Sequence, residues 1–237
     1  MYGWRGRIGL LIPSSNTTME SEFWKVVPDG VSIHTARMRL IEASAEALKE
    51  MAKEALKAAE DLATANVNLI LYGCTTGSLI EGIRWEQELS ESIRLRTGVK
   101  AITTAFAVIE ALKALSIKNV AVATPYIEEL NEKEKVFLEE CGFKVVRMKG
   151  LNILKNTEIG MQPSWVSYKL ARDVYTHDVD GIFISCTNFR TLDILEKLES
   201  DLNKPVVSSN SASIWLALKE LGVREQIKGY GKLLANL

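Results

Sequence analysis

Short apolar runs alternate with amphipathic segments along this chain. Runs rich in Val, Ile and Leu predict eight strands, at 7–13, 31–37, 67–73, 100–105, 119–125, 143–150, 181–186 and 204–210. Several of these runs are almost continuously apolar, as strands covered on both faces should be. Apolar residues at helical spacing predict helices between the strands, the clearest at 44–66, 105–117 and 212–223. Strands that alternate with helices predict an α/β fold with parallel sheets.

The two halves of the chain have the same layout. "RIGLLIPSSNTTMESEF" and "NVAVATPYIEELNEKEKVF" each read as a strand, a proline and an acidic helix. Ile8 and Val120 are 112 residues apart, and Cys74 and Cys186 are separated by the same 112 residues. This shared offset predicts two pseudo-symmetric α/β halves, 1–113 and 114–237, with a cleft between them. This division also allows the C-terminal segment to pack against the first half.

A cysteine follows an apolar run in each half, in "LYGCTTGSLI" and in "FISCTNFRTL". Ligands bind at the carboxyl ends of strands in such sheets, so Cys74 and Cys186 are predicted to meet in one cleft. A thiolate is a strong nucleophile and a fair base, and a helix starting after each cysteine would lower its pKa. Two facing thiols permit racemisation by proton transfer, or addition to a double bond. The alternative is packing, which is what we expect for Cys141.

Composition narrows the class of protein. The 237 residues are 47% apolar and 25% charged, with a formal charge of -1, which gives no reason to expect a nucleic-acid or anionic membrane partner. No apolar run approaches the ~18 residues of a membrane span, and the first run is too short for a signal peptide, so a cytoplasmic protein is expected. Three cysteines and two histidines without ligand spacing argue against a disulfide framework or a zinc site. No GxSxG or GxGxxG motif occurs.

Several segments together resemble the aspartate/glutamate racemase superfamily and, within it, maleate cis-trans isomerase, with arylmalonate decarboxylase close by. These segments are "GLLIPSSNTTME", "HTARMRL", "VAVATPYIEELNEKEKVFLEECGFKV", "LNILKNTEIG", "ISC" and "GYGKLL". The resemblance spans nearly the whole chain. It implies an isomerase without cofactor or metal, a small dicarboxylate substrate and a homo-oligomer. "TTGSLI" after Cys74 and "TNFRTLDILEKLE" after Cys186 are closer to the decarboxylase pattern, so decarboxylase, racemase and a non-enzymatic dicarboxylate-binding module stay as alternatives.

The resemblance also implies residue roles. Cys74 and Cys186 match the catalytic cysteines, and the side chains matching carboxylate ligands are Asn16, Tyr126 and Asn156. Neutral donors around them would complete the substrate site, namely Ser14, Ser15, Thr75 and Thr187.

Simpler roles compete with these assignments. Asn16 could cap the next helix, Tyr126 could be a packed aromatic, and Asn156 could be a turn residue. Arg37 and Arg39 alternate on a strand and are expected on a solvated face.

Overall fold

The computed structural model describes all of residues 1–237 and contains eight strands and twelve α-helices. The strands are β1 Gly6–Pro13, β2 Val31–Met38, β3 Leu69–Tyr72, β4 Lys100–Thr103, β5 Asn119–Thr124, β6 Lys144–Gly150, β7 Gly181–Ile184 and β8 Val206–Ser208. The helices are α1 Met19–Val26, α2 Ala45–Lys53, α3 Ala55–Ala63, α4 Thr75–Leu79, α5 Ile83–Thr97, α6 Thr104–Ala114, α7 Glu128–Glu140, α8 Asn156–Gly160, α9 Ser164–Val174, α10 Leu195–Leu202, α11 Ser209–Glu220 and α12 Lys232–Ala235.

The strands form two parallel four-stranded sheets, ordered β2-β1-β3-β4 and β6-β5-β7-β8. The repeat seen in the sequence is also present in the register of the central strands. Ile8 lies opposite Leu69 in the first sheet, and Val120 lies opposite Gly181 in the second, with both members displaced by 112 residues. The predicted α/β fold with two similar parallel-sheet halves is therefore confirmed.

Several element boundaries differ from the predicted ones, and hydroxyl residues explain two of them. The predicted strand 204–210 ends at Ser208, because the Ser208 side chain accepts the Ser211 amide in a capping box that begins α11. Likewise Thr103 ends β4 and caps α6 through the Phe106 amide. The predicted helix 44–66 is two helices, since the Glu54 amide bonds to Met51 three residues back and interrupts the regular spacing.

The two halves share one core. Sixty-nine buried apolar residues form a single cluster that runs through both sheets, and α6 packs against α11 where the halves meet. C-terminal residues also reach the first half, since Arg5 pairs with Glu225. The chain crosses between the sheets at 115–118, and the division into 1–113 and 114–237 remains a prediction. No helix combines the length and the apolar composition that crossing a bilayer needs.

Candidate active site

A small closed cavity lies between the sheets, at the carboxyl ends of β1, β3, β5 and β7. These are the two central strands of each sheet, where parallel α/β sheets bind ligands. The cavity has a free volume of about 10 Å³, about what one water molecule needs, and is lined by Pro13, Asn16, Leu40, Ala43, Leu48, Cys74, Thr75, Thr76, Tyr126, Asn156, Cys186 and Thr187. The lining contains two thiols, hydroxyl and amide groups and an apolar wall, but no charged side chain.

Cys74 lies two residues beyond β3 and is the N-cap residue of α4. Its Sγ accepts a hydrogen bond from the Gly77 amide at 3.4 Å. Burial raises the pKa of the Cys74 thiol to about 11, although the bonds from Gly77 and Thr76 act to lower it. The predicted helix after Cys74 is therefore present, but in the closed cavity desolvation outweighs the helix N-terminus.

Cys186 lies two residues beyond β7 and differs from Cys74 in its backbone. Its φ angle is +93°, in a region that non-glycine residues rarely adopt. Burial raises the pKa of its thiol to about 12, with the Tyr126 hydroxyl and the Asn188 amide acting in the opposite direction. The predicted helix start at Thr187 and Asn188 is wrong. The backbone turns instead, and the Asn188 amide donates to the Cys186 Sγ at 3.4 Å.

Asn16 and Thr187 connect the two halves at the cavity. The Asn16 Nδ2 donates to the Thr187 hydroxyl at 3.0 Å, and that hydroxyl donates to the Gly73 carbonyl at 3.1 Å. The Asn16 Oδ1 also accepts hydrogen bonds from the amides of Thr18 and Met19 at the start of α1. Asn16 therefore caps this helix and also lines the cavity. Because Gly73 takes the Thr187 hydroxyl proton, this side chain has no proton left to donate to a ligand.

Tyr126 and Asn156 are the other predicted ligands that reach the cavity. Both are buried, and the pKa of Tyr126 is raised well above its usual range because of burial and the nearby Cys186. Asn156 is the first residue of α8 and donates from its Nδ2 to the Ser15 hydroxyl at 2.8 Å.

Ser14 and Ser15 do not line the cavity, in contrast to their predicted position. The Ser14 hydroxyl lies 3.0 Å from the Leu40 amide, which donates to it, and Ser15 receives the bond from Asn156. Both serines therefore support residues that line the cavity. Arg37 bonds the backbone carbonyls of Ser14 and Asn16 from the outside and pairs with Glu20, as expected for a residue on a solvated face.

Sequence reasoning missed the apolar wall and two buried groups behind the site. Leu40 follows β2, so the strand-exit rule that found the cysteines could also have found it. The hydroxyl of Ser209 bonds the Cys186 amide, and the carboxyl of Glu134 bonds Ser185, but neither residue carries a sequence signal of its own. Cys141 is partly buried and packs against the core away from the cavity. No group of three or more His, Cys, Asp or Glu side chains is arranged to hold a metal ion.

Comparison with known proteins assigns this geometry to a family. The family model described as arylmalonate decarboxylase matches residues 8–234, nearly the entire chain. The chain belongs to the arylmalonate decarboxylase family. Among the relatives in this family is the maleate isomerase of Nocardia farcinica, 32% identical over 238 residues that cover 96% of this chain and 95% of that protein.

Solved structures agree with this family assignment. A cysteine-to-alanine variant of the maleate isomerase from Pseudomonas putida, crystallised with maleate, is 28% identical, has a TM-score of 0.94 and is covered over 98% of both chains. A cysteine-to-serine variant of the Nocardia farcinica maleate cis-trans isomerase carries a covalently bound succinylcysteine intermediate. It is 28% identical with a TM-score of 0.92, covering 97% of this chain and 98% of that one. The resemblance to maleate isomerases is thus confirmed, and the chain is an isomerase of this family.

Proposed function

We propose that the protein converts maleate to fumarate without a cofactor, with Cys74 as nucleophile and Cys186 as the acid and base. The observation that carries this proposal is that both thiols line one closed, uncharged cavity. Cysteines that only pack a core are not expected to line the same polar cavity. The succinylcysteine of the Nocardia farcinica relative supports a covalent route, since that adduct is what a thiol and maleate form by addition.

The proposed reaction balances from a Cys74 that has given its proton to solvent and a Cys186 that keeps its own. The Cys74 thiolate forms a sulfur–carbon bond to one alkene carbon, while the π electrons take the Cys186 proton at the neighbouring carbon. The product is a succinyl thioether whose central carbon–carbon bond is single and can rotate. After rotation the Cys186 thiolate removes a proton, the double bond re-forms and Cys74 leaves as the thiolate. Fumarate is released with both sulfurs in their starting states.

Neutral donors are suited to hold the two carboxylates of the substrate. Asn16, Tyr126, Asn156 and Thr75 line the cavity with amide and hydroxyl groups. Oriented neutral dipoles in a dry site stabilise negative charge strongly. A positive side chain in the lining would form an ion pair with the Cys74 thiolate and weaken its attack.

The pKa values of the two thiols differ in the direction that these roles require. Cys186, whose pKa burial raises to about 12, keeps its proton at neutral pH and can donate it. Burial also raises the pKa of Cys74, to about 11, so its thiolate is the minor form at neutral pH, stabilised by the bonds from the Gly77 amide and the Thr76 hydroxyl. Cys74 is therefore proposed as the attacking sulfur.

An NMR assay tests the proposed function directly. Maleate, an arylmalonate and aspartate are each incubated in deuterated buffer with the wild type, Cys74→Ser, Cys186→Ser and, as matched control, Cys141→Ser. The wild type and Cys141→Ser should convert maleate to fumarate at similar rates. Cys74→Ser should lose turnover, and Cys186→Ser should be slower by about 10²–10⁴-fold, because proton transfer is lost.

Other outcomes would reject the proposed reaction and favour one of the alternatives. Carbon dioxide release from the arylmalonate without fumarate formation would favour decarboxylation. Solvent deuterium at the α-carbon of aspartate would favour racemisation. Binding of maleate without turnover of any of the three compounds would favour a dicarboxylate-binding module and reject the proposed conversion of maleate to fumarate.

A further inference from the structure

One buried asparagine of the second half connects the two loops that carry candidate carboxylate ligands. Asn188 is 1% exposed and does not line the cavity. Its Oδ1 accepts the Thr17 amide at 2.9 Å, and its Nδ2 donates to the Asn156 carbonyl at 2.7 Å and to the Ser15 carbonyl at 3.4 Å. Ser15 and Thr17 flank Asn16 in the chain. One side chain therefore bonds both neighbours of one candidate ligand and the backbone of the other.

The chemistry of the partners fixes the direction of each of these bonds. A backbone amide can only donate and a backbone carbonyl can only accept, so the Asn188 side chain has a single possible orientation. Its own backbone is also paired. The Asn188 carbonyl accepts the Thr18 hydroxyl at 3.0 Å, and the Asn188 amide donates to the Cys186 Sγ at 3.4 Å. Every polar group of Asn188 thus has a partner within the protein, which indicates a role in placing those partners.

Helix α8 packs directly against this asparagine. A Cβ added at Gly160, the last residue of α8, would lie 2.9 Å from the Asn188 Oδ1, 3.1 Å from its Nδ2 and 2.7 Å from the Thr17 Oγ1. Only glycine allows the helix to approach so closely without displacing these groups. Packing and hydrogen bonds therefore restrain the same side chain.

The matching position in the first half is held in a different way. Thr76, 112 residues before Asn188, lies within α4, and the Cys74 Sγ accepts from the Gly77 amide of that same helix. Cys186 is followed by a turn, and its φ of +93° persists only when its surroundings hold it. A local helix fixes Cys74, whereas the position of Cys186 depends on contacts with distant segments.

We propose that Asn188 is a positioning residue that fixes the Cys186 sulfur relative to the loops carrying Asn16 and Asn156. This inference rests on the proposed function, in which Cys186 exchanges a proton with a carbon of the bound dicarboxylate. Proton transfer requires the two atoms within hydrogen-bond reach, and a displacement of about 1 Å can lower the rate about 10²-fold. Asn188 bonds the sulfur and both loops, so it sets that separation.

The test measures succinate affinity by calorimetry and maleate turnover by NMR for the wild type, Asn188→Ala and Asn188→Asp. Succinate has both carboxylates but no double bond, so it cannot react. Asn188→Ala should bind succinate about 10-fold more weakly, because the loops carrying Asn16 and Asn156 lose their common anchor. Its kcat should fall by about 10–100-fold. Urea unfolding of each variant ensures that both measurements are made on folded protein.

Asn188→Asp adds a readout that a purely structural role would not change. The ionised aspartate still accepts the Thr17 amide, but it presents an acceptor to the Asn156 carbonyl. Burial raises the pKa of such a carboxyl group, and its protonated form again donates to that carbonyl. Relative to the wild type at the same pH, kcat and succinate affinity should therefore recover about 10-fold from about pH 9 to about pH 6. The same ratios for Asn188→Ala should not depend on pH.

Asn119→Ala is the matched control, because Asn119 begins β5, at the end of the strand away from the cavity, where its side chain bonds Asp180. It should leave succinate affinity and kcat within about twofold of the wild type. The proposal is overturned if folded Asn188→Ala behaves like Asn119→Ala, or if Asn188→Asp shows no recovery at low pH. If Asn188→Ala does not fold, the pH series of Asn188→Asp decides alone. A wild type that binds succinate but makes no fumarate rejects the proposed conversion, while the affinity series still tests Asn188. A wild type that does neither rejects both proposals.

Discussion

At the scale of single residues, burial governs the acid–base behaviour of the site. Both thiols have raised pKa values, and desolvation is the largest cause for each. The hydrogen bonds to Cys74 lower its pKa but do not compensate for the absence of water. A thiolate in this cavity is therefore a reactive, poorly solvated species, and its charge is stabilised by amide and hydroxyl donors alone.

Glu134 is a second buried acid, located behind Cys186. Its Oε1 accepts the Ser185 hydroxyl at 2.6 Å, its Oε2 has no partner, and burial raises its pKa from 4.5 to about 8. The ionised carboxylate would raise the pKa of both Cys186 and Tyr126. The neutral form is therefore the one compatible with the site at neutral pH.

We predict that Glu134→Gln stabilises the protein increasingly as the pH rises. Between pH 4.5 and 8 the folded wild type holds a proton that the unfolded chain has lost, so its unfolding free energy falls with pH. Glutamine has the same shape and no such penalty. The variant should match the wild type near pH 4.5 and exceed it by roughly 4 kcal/mol at pH 8. Urea unfolding from pH 5 to 8 measures this, and a difference independent of pH would contradict it.

At the scale of elements, loops from opposite halves close the cavity. The Ala43 amide donates to the Leu154 carbonyl at 2.8 Å, and the Asn156 amide donates to the Ile41 carbonyl at 3.2 Å. Helix α2 begins directly after this loop and brings Leu48 to the apolar wall. The position of the wall therefore depends on where α2 starts.

The start of α2 yields a second prediction. Ser44 is its N-cap and accepts the Ala47 amide at 3.3 Å. Ser44→Ala should lower the unfolding free energy by about 1 kcal/mol, because that amide loses its partner. Ser44→Asp, which retains a capping oxygen, should stay within a few tenths of a kcal/mol of the wild type. Equal urea midpoints for wild type and Ser44→Ala would show that the cap contributes nothing.

At the scale of the whole molecule, polar contacts fasten the halves together around the cavity. The Glu22 carboxylate of α1 accepts the Thr191 amide at 2.9 Å, the Leu192 amide at 3.2 Å and the Asn210 Nδ2 at 2.7 Å. All three donors belong to the second half. With the shared core, these bonds predict that the halves unfold together. The homo-oligomer remains a proposal, to be tested by sedimentation.

Removing the Glu22 carboxyl group should lower the unfolding free energy of both halves together. Glu22→Ala leaves three donors without their acceptor and should lower the unfolding free energy by roughly 3 kcal/mol, in one cooperative transition. Glu20→Ala is the control, since Glu20 lies on the same helix but pairs with Arg37 at the surface, where ion pairs contribute about 0–1 kcal/mol. Equal unfolding curves for the two variants, or two separate transitions for Glu22→Ala, would refute this picture.

Much of this architecture is readable from the linear sequence. The apolar runs predict strands because burial on both faces requires continuous hydrophobic residues. The 112-residue offset predicts the repeated register, since equal spacing along equal elements produces equal positions in the sheet. The position of both cysteines after central strands follows from the same rule, as parallel strands place their exits at one edge.

Tertiary structure alone decided how the two halves differ. The left-handed Cys186, the bridging Ser209 hydroxyl and the outward position of Ser14 depend on contacts between segments far apart in the chain. The raised pKa values of the thiols depend on how completely the closed cavity excludes water. Sequence periodicity records which face of an element is apolar. It does not record which distant hydroxyl, carbonyl or carboxyl group will contact that face. Those tertiary contacts determine the chemistry of the site.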